Sequence, residues 1–168
     1  MKRIPKLINF ILPAVLVITG CKKVFDIKPQ DQLDQTQAYQ NVYDADAAVV
    51  GIYGKFMGLA DRYVILNELR GDLLNYTINA DEALREISTH NVTAGNPYAN
   101  PRPFYELIIN CNDVLENFQV MLRDKKMTEG EFNQRYSDIG ALRSFLYLQL
   151  GIHFGEVPYV TSSLKSLD

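Results

Sequence analysis

Thr128-Glu129-Gly130-Glu131-Phe132, continued through Tyr136, Ile139, Leu142, Leu146, Leu150 and Phe154 to Gly155 and Pro158, is the stretch that decides the fold. Its apolar residues recur three and four apart, which lines them along one face of an α-helix. Thr128 and Glu131 have the spacing of a capping box, in which the hydroxyl and the carboxylate each satisfy an orphan backbone N–H. Gly155 and Pro158 supply a stop. From Glu129 to Phe154 the helix would run ~39 Å at ~1.5 Å per residue.

Just upstream, Phe104, Leu107, Ile108, Cys111, Leu115, Phe118 and Leu122 make a second continuous stripe, with Pro103 in a first turn where its missing N–H costs nothing. The polar link Arg123–Met127 is short, so the two helices are expected to fold back as an antiparallel hairpin. Hairpins of this kind are the unit of stacked helical repeats. Further upstream, Asp44 is the expected cap of a helix with the face Val49, Ile52, Tyr53, Phe56 and Met57. Gly51 and Gly54 interrupt that helix at ~1 kcal/mol each relative to Ala, a cost usually tolerated where another backbone packs close. A further helix is expected over Tyr63, Leu66, Leu69 and Leu73. Strand alternation is weak throughout, with Val157–Val160 the one short extended candidate. The expected class is all-α, built of stacked antiparallel helix pairs in a tetratricopeptide-like superhelix.

Between the helices lies one long loop. Tyr76 to Arg102 holds Asn79, Asn91, Asn96 and Asn100, with Gly95, Pro97, Pro101 and Pro103 close by, and at most one helical turn near Asp81–Ile87. Loops of this length inside a compact domain are uncommon and often functional. Tyr76, Asn79, Asn91, Asn96 and Tyr98 combine aromatic faces with amide side chains. Sugars are bound by such groups, a ring face against a pyranose and amides to vicinal hydroxyls. The alternative is that these residues simply make turns.

The N-terminus reads as a targeting segment. Lys2, Arg3 and Lys6 precede the apolar run Leu7–Ile18, which Pro13 breaks and which falls short of the ~20 residues needed to span a bilayer. Ile18-Thr19-Gly20-Cys21 resembles the lipobox of bacterial lipoproteins, in which the Cys thiol is acylated and becomes the first residue of the mature chain. The resulting division is a signal peptide over 1–20, an extended tether over 21–40 and a helical domain over 41–168. The net charge is −3 for the whole chain and −6 once the three positive charges of the leader are gone. With no basic cluster, nucleic acid is a poor partner. Only Cys111 remains beside an acylated Cys21, so no intrachain disulfide is possible.

Chemistry-bearing clusters are scarce. Glu68 and Asp72 are four apart, a spacing that reads as a solvated face or as a pairing with Arg70. His90 and His153 lie in unlike contexts with no ligand spacing, so no metal site and no cofactor are expected. Cys111 sits on an apolar stripe, where a buried inert thiol is the default. No catalytic residues are assigned, and the chain is not expected to be an enzyme.

Four segments carry a family resemblance. Gly140-Ala141-Leu142-Arg143-Ser144-Phe145-Leu146-Tyr147 with Phe154-Gly155-Glu156-Val157-Pro158-Tyr159-Val160-Thr161 resembles the long helical block of SusD/RagB-like proteins, in which Arg143 aligns cleanly. Ala47-Ala48-Val49-Val50-Gly51-Ile52-Tyr53, Glu68-Leu69-Arg70-Gly71-Asp72 and Tyr105-Glu106-Leu107-Ile108-Ile109-Asn110-Cys111-Asn112 resemble three further segments of that family, in the same order. The Trp common in the last of these is missing, and this chain has none. Family members are several times longer, so the resemblance implies the N-terminal helical portion of such a protein. It further implies a non-enzymatic outer-membrane lipoprotein, anchored through Cys21 and facing the cell surface. Such a protein binds a nutrient, commonly an oligosaccharide, and delivers it to a TonB-dependent, SusC-like transporter. Other classes left open are a lipid-anchored envelope enzyme such as a glycoside hydrolase, and a truncated scaffold with no ligand of its own.

Overall fold

The computed structural model describes residues 38–164. Five α-helices and no strand occur among them: α1 (Val42–Met57), α2 (Ala60–Val64), α3 (Glu82–Ser88), α4 (Arg102–Arg123) and α5 (Glu129–Phe154). A π-helical turn, Ile65–Leu69, continues α2, and a single 3-10 turn, Pro97–Ala99, precedes α4. The extended candidate Val157–Val160 forms no strand.

α4 and α5 form the expected hairpin. Gln119 bonds Tyr136, Arg143 bonds Asn112, and the ring of Phe104 meets that of Phe154. Partner numbers that fall on one helix as they rise on the other mean the two run antiparallel. The link closes α4 with Lys125 in the left-handed region (φ 56°), where Lys125 N–H donates to Leu122 O and Lys126 N–H to Met121 O. This is the Schellman arrangement, which satisfies carbonyls the helix end would otherwise orphan. α5 then opens on the capping box anticipated from its spacing: Thr128 Oγ1 accepts from Glu131 N–H and the Glu131 carboxylate accepts from Thr128 N–H. It ends at Gly155, whose φ of 76° suits a residue without a Cβ.

α1 lies against both helices of the hairpin. Asp46 pairs with Arg135 and Phe56 stacks edge-on to Phe145, so α1 runs in the direction of α5. Tyr39 meets Phe118 and Lys55 bonds Asn110, so it runs counter to α4. The segment after α1 continues along α5, where Asn67 reaches Gln149 and Arg70 reaches His153. The core follows: Ala45, Ile52, Leu66, Leu69 and Ile87 close over Phe104, Ile108, Cys111, Leu115, Phe118, Ile139, Leu146 and Leu150.

Several expectations are corrected. The N-cap of α1 is Asn41, whose Oδ1 accepts from Tyr43 and Asp44 N–H, while Asp44 is the returning carboxylate of the same box. Tyr53 and Met57 face outward, and Ala45 and Ala48 pack inward in their stead. A Cβ at Gly51 or Gly54 would meet nothing within 4 Å, so no close backbone accounts for either glycine. The helix expected to reach Leu73 ends at Leu69, and Leu73 is exposed. Tyr39, placed in the tether by sequence, is packed on Phe118 and accepts a hydrogen bond from Lys126 Nζ through its carbonyl.

Candidate functional site

The loop between the π-turn and α4 is organised by α3. Asp81 caps that helix through Leu84 N–H. The guanidinium of Arg85 donates to the carbonyls of Ile78 and Ala80, gathering the chain before the helix. The Glu86 carboxylate accepts from Thr93 N–H, Thr93 Oγ1 and Asn96 Nδ2, gathering the chain after it. Those bonds hold the Glu86 carboxyl below its ordinary range, with the Asn96 amide the largest cause.

The five loop residues singled out by sequence separate into two groups. Tyr76, Asn79 and Asn91 lie at the surface, with the Arg85 guanidinium 5.7 Å from the Tyr76 ring centre. Asn96 and Tyr98 turn inward. The Asn96 side chain is buried and committed, since Nδ2 donates to Ala83 O and Glu86 while Oδ1 accepts from Tyr98 N–H. Asn96 is therefore a staple of the loop, and the sequence-based expectation of a ligand-facing amide is corrected at that position. Tyr98 is half-buried against the core, with Arg62 5.8 Å from its ring centre. Burial pushes its phenol upward, and the nearby Asp61 and Asp81 act in the same direction. Cys21 and the 1–20 leader lie outside the described residues.

A second cluster joins the hairpin to the chain beyond it. Asn112 on α4 is fully buried. Its Nδ2 donates to Val160 O (3.0 Å) and Ser162 O (3.1 Å), and its Oδ1 accepts from Arg143 Nη1 (2.7 Å). Tyr147 Oη donates to Val160 O and accepts from Val160 N–H, at 2.7 and 2.8 Å. The Glu116 carboxylate accepts from both N–H and Oγ of Ser163. The strap over 156–164, which has no regular structure, gains its hydrogen bonds in this way. Cys111, one residue before Asn112, is buried and its thiol is pushed up to about 11, chiefly by desolvation. It is not a nucleophile at neutral pH.

The third feature is a pocket of about 270 Å³, walled by Leu66, Ile87, Val92, Ala99 and Phe154, with Arg70, His90 and His153 as its polar members. His90 and His153, 63 residues apart, thus meet at one cavity, which nothing in their sequence contexts signals. Arg70 Nη1 lies 3.4 Å from His153 Nδ1, and His153 Nε2 lies 3.1 Å from Gln149 Oε1. Gln149 Oε1 is an acceptor, so this pattern assigns the imidazole proton to Nε2 and leaves Nδ1 to accept from Arg70. Burial and then the Arg70 charge hold the His153 pKa below its usual value. Among the described residues Arg70 makes no ion pair, with Glu68 or Asp72 or any other carboxylate.

Among the described residues, no group of three or more His, Cys, Asp or Glu is placed to hold a metal ion, and no helix is long and apolar enough to cross a membrane. Compared with family models, curated proteins and solved structures, the chain matches none.

Proposed function

We propose that the chain is a non-enzymatic, lipid-anchored capture protein of the SusD/RagB-like kind. Acylated at Cys21, it sits on the outer membrane facing the cell surface. It binds a nutrient, an oligosaccharide in the first instance, and hands it to a TonB-dependent, SusC-like transporter. Its helix pairs stack as the first layers of a superhelix. The observation that supports this reading is the Asn112, Arg143 and Tyr147 cluster. Asn112 comes from one segment of the resemblance and Arg143 and Tyr147 from another, and together they tie down the Val157-Pro158-Tyr159-Val160 end of that second segment. Residues shared for a structural reason should converge in space in this way, whereas chance matches should scatter.

Ligand contact is assigned to Tyr76, Asn79 and Asn91, the loop residues at the surface. An open surface of this kind suits weak capture, with Kd in the micromolar to millimolar range, ~4–8 kcal/mol. Tethering beside a transporter makes such affinity sufficient by raising local concentration. The test is a Cys21→Ser variant expressed in a Gram-negative host beside the unaltered chain. The unaltered protein should fractionate with outer membranes, incorporate labelled fatty acid and yield to protease on intact cells; the variant should do none of these. A Cys21→Ser protein that remains membrane-bound and labelled would remove the lipoprotein reading. Hydrolysis of an oligosaccharide by the purified chain would favour the envelope-enzyme class.

A further inference from the structure

Two irregularities of backbone converge on the pocket beside Arg70. Leu66 and Arg70 belong to the π-helical turn and its C-cap, a form of helix that is rare and often found at functional positions. His90 has φ 56°, the left-handed region favoured by glycine. It occupies the residue after the C-cap of α3, where its N–H donates to Ile87 O and the next N–H, of Asn91, donates to Glu86 O. Glycine is the usual occupant of that place in a Schellman motif. A histidine there keeps the turn at a cost and sets an imidazole on the pocket wall. His153 and Phe154 come from the last turn of α5, so the cavity is walled by three separate elements and the loop.

Its chemistry is one-sided. Among the described residues the lining contains no Asp or Glu. Arg70 carries a permanent positive charge with no carboxylate partner among the described residues, and the neighbouring His153 ring spends its lone pair on that guanidinium without neutralising it. Around these lie the five apolar side chains, of which Leu66 and Ile87 are buried and Val92 is exposed. Cavities of ~150 Å³ hold a benzene ring, so about 270 Å³ has room for a ring with a substituent.

From this we infer that the pocket is a binding site for a small organic carboxylate. The acid pairs with Arg70 while an aromatic or branched aliphatic body lies against Leu66, Ile87, Val92 and Phe154. An inorganic anion would leave those walls in contact with charge, which favours the apolar acid over phosphate. The pocket adjoins Asn91, one of the surface residues proposed for sugar contact, which lies between His90 and Val92 in the chain, but its existence does not depend on that assignment.

The chain has only two histidines, so both lines of its imidazole Cε1–H spectrum report on this one cavity. The experiment titrates the full chain in detergent micelles with benzoate, with benzamide as the uncharged analogue, and with phosphate and glucuronate. Benzoate should move both lines saturably, at a Kd on the order of 1 mM. Benzamide and glucuronate should bind at least tenfold more weakly, and phosphate should leave the lines in place. Arg70→Gln should weaken benzoate at least tenfold. Ala99→Leu, which keeps the charge and fills the space, should do the same and serves if Arg70→Gln fails to fold. Equal responses to benzoate and benzamide, or none to either, would overturn the assignment. Tighter binding of glucuronate than of benzoate would overturn the apolar body and give the pocket to sugar acids.

Discussion

Arg143 on α5 donates a 2.7 Å hydrogen bond to the Oδ1 of Asn112 on α4, and this contact helps to seat the strap over 156–164. With its oxygen held by the guanidinium, the Asn112 amide can point only its nitrogen at the strap, where Val160 and Ser162 present their carbonyls. An amide has two N–H donors, and both are used. The pair therefore converts a hairpin of two helices into a surface that accepts a third, irregular piece of chain.

Asn112→Ala should consequently lower stability by about 2–4 kcal/mol, since it strands Arg143 and two strap carbonyls at a fully buried position. Urea denaturation measures the loss, and limited proteolysis should show cleavage moving into 156–164. Asn112→Asp should be milder at neutral pH. The carboxylate keeps the pairing with Arg143 but cannot donate to the strap. If both variants match the parent in stability and protease pattern, the strap is held by other contacts.

In the loop, two asparagines of similar sequence context should behave oppositely. Asn96→Ala removes three internal hydrogen bonds and should cost about 1–3 kcal/mol. It should also raise the titration midpoint of the Glu86 carboxyl, whose largest depressing contact is that amide. Asn79→Ala removes only surface amide groups and should leave the melting temperature within about 1 °C of the parent, while weakening any oligosaccharide that binds. Calorimetric melting of the two variants separates structural from ligand-facing amides. A loss at Asn79 equal to that at Asn96 would mean that the exposed half of the loop is structural as well.

How much of this was legible in sequence depends on the range of the interaction that decides each feature. Thr128 and Glu131 satisfy one another within a single turn, and the pair fixes the start of α5 by local chemistry alone. Asn41 and Asp44 stand three apart in the same relation, but both can cap a helix, and the pattern does not tell which of them begins it. Leu66 and Leu69 keep helical spacing through the π-turn, so the extra residue in that turn leaves no trace in the apolar periodicity. Asn96 looks like any loop asparagine until Glu86 folds under it. The meeting of His90 with His153 depends on the path of the whole loop, which no local pattern encodes.

His153 should make stability pH-dependent just below neutrality. Its pKa in the fold lies under the ordinary 6.5 because burial and Arg70 disfavour the imidazolium. Between the two values the unfolded chain binds more protons than the folded one, so stability rises with pH across that window. The contribution is complete above about pH 6.5 and is lost as pH falls through the folded-state value. Equilibrium unfolding at a series of pH values should show this slope, and His153→Gln should flatten it. The acid limb below about pH 4.5, where Glu86 and Glu131 lose the hydrogen bonds that depress them, should survive in the variant. A slope just below pH 6.5 that persists without His153 would place its origin at another group.

His90 supplies the sharpest separation of stability from binding. A side chain in the left-handed region carries a penalty of ~1–2 kcal/mol that glycine escapes, although glycine returns ~0.5–1 kcal/mol of it through the freedom it gains in the unfolded chain. His90→Gly should therefore leave the protein equally stable or more stable by up to about 1 kcal/mol. His90→Ala retains the strained backbone and should be less stable than the glycine variant by about 1 kcal/mol. The comparison isolates backbone strain, because both substitutions delete the same imidazole. Chemical denaturation of the three proteins measures it directly. With the ring gone, benzoate should bind both variants more weakly than the parent and to a similar extent, read on the remaining His153 line. Should glycine and alanine prove equally stable, the turn at His90 is not strained, and a histidine there carries no sign of selection for the pocket.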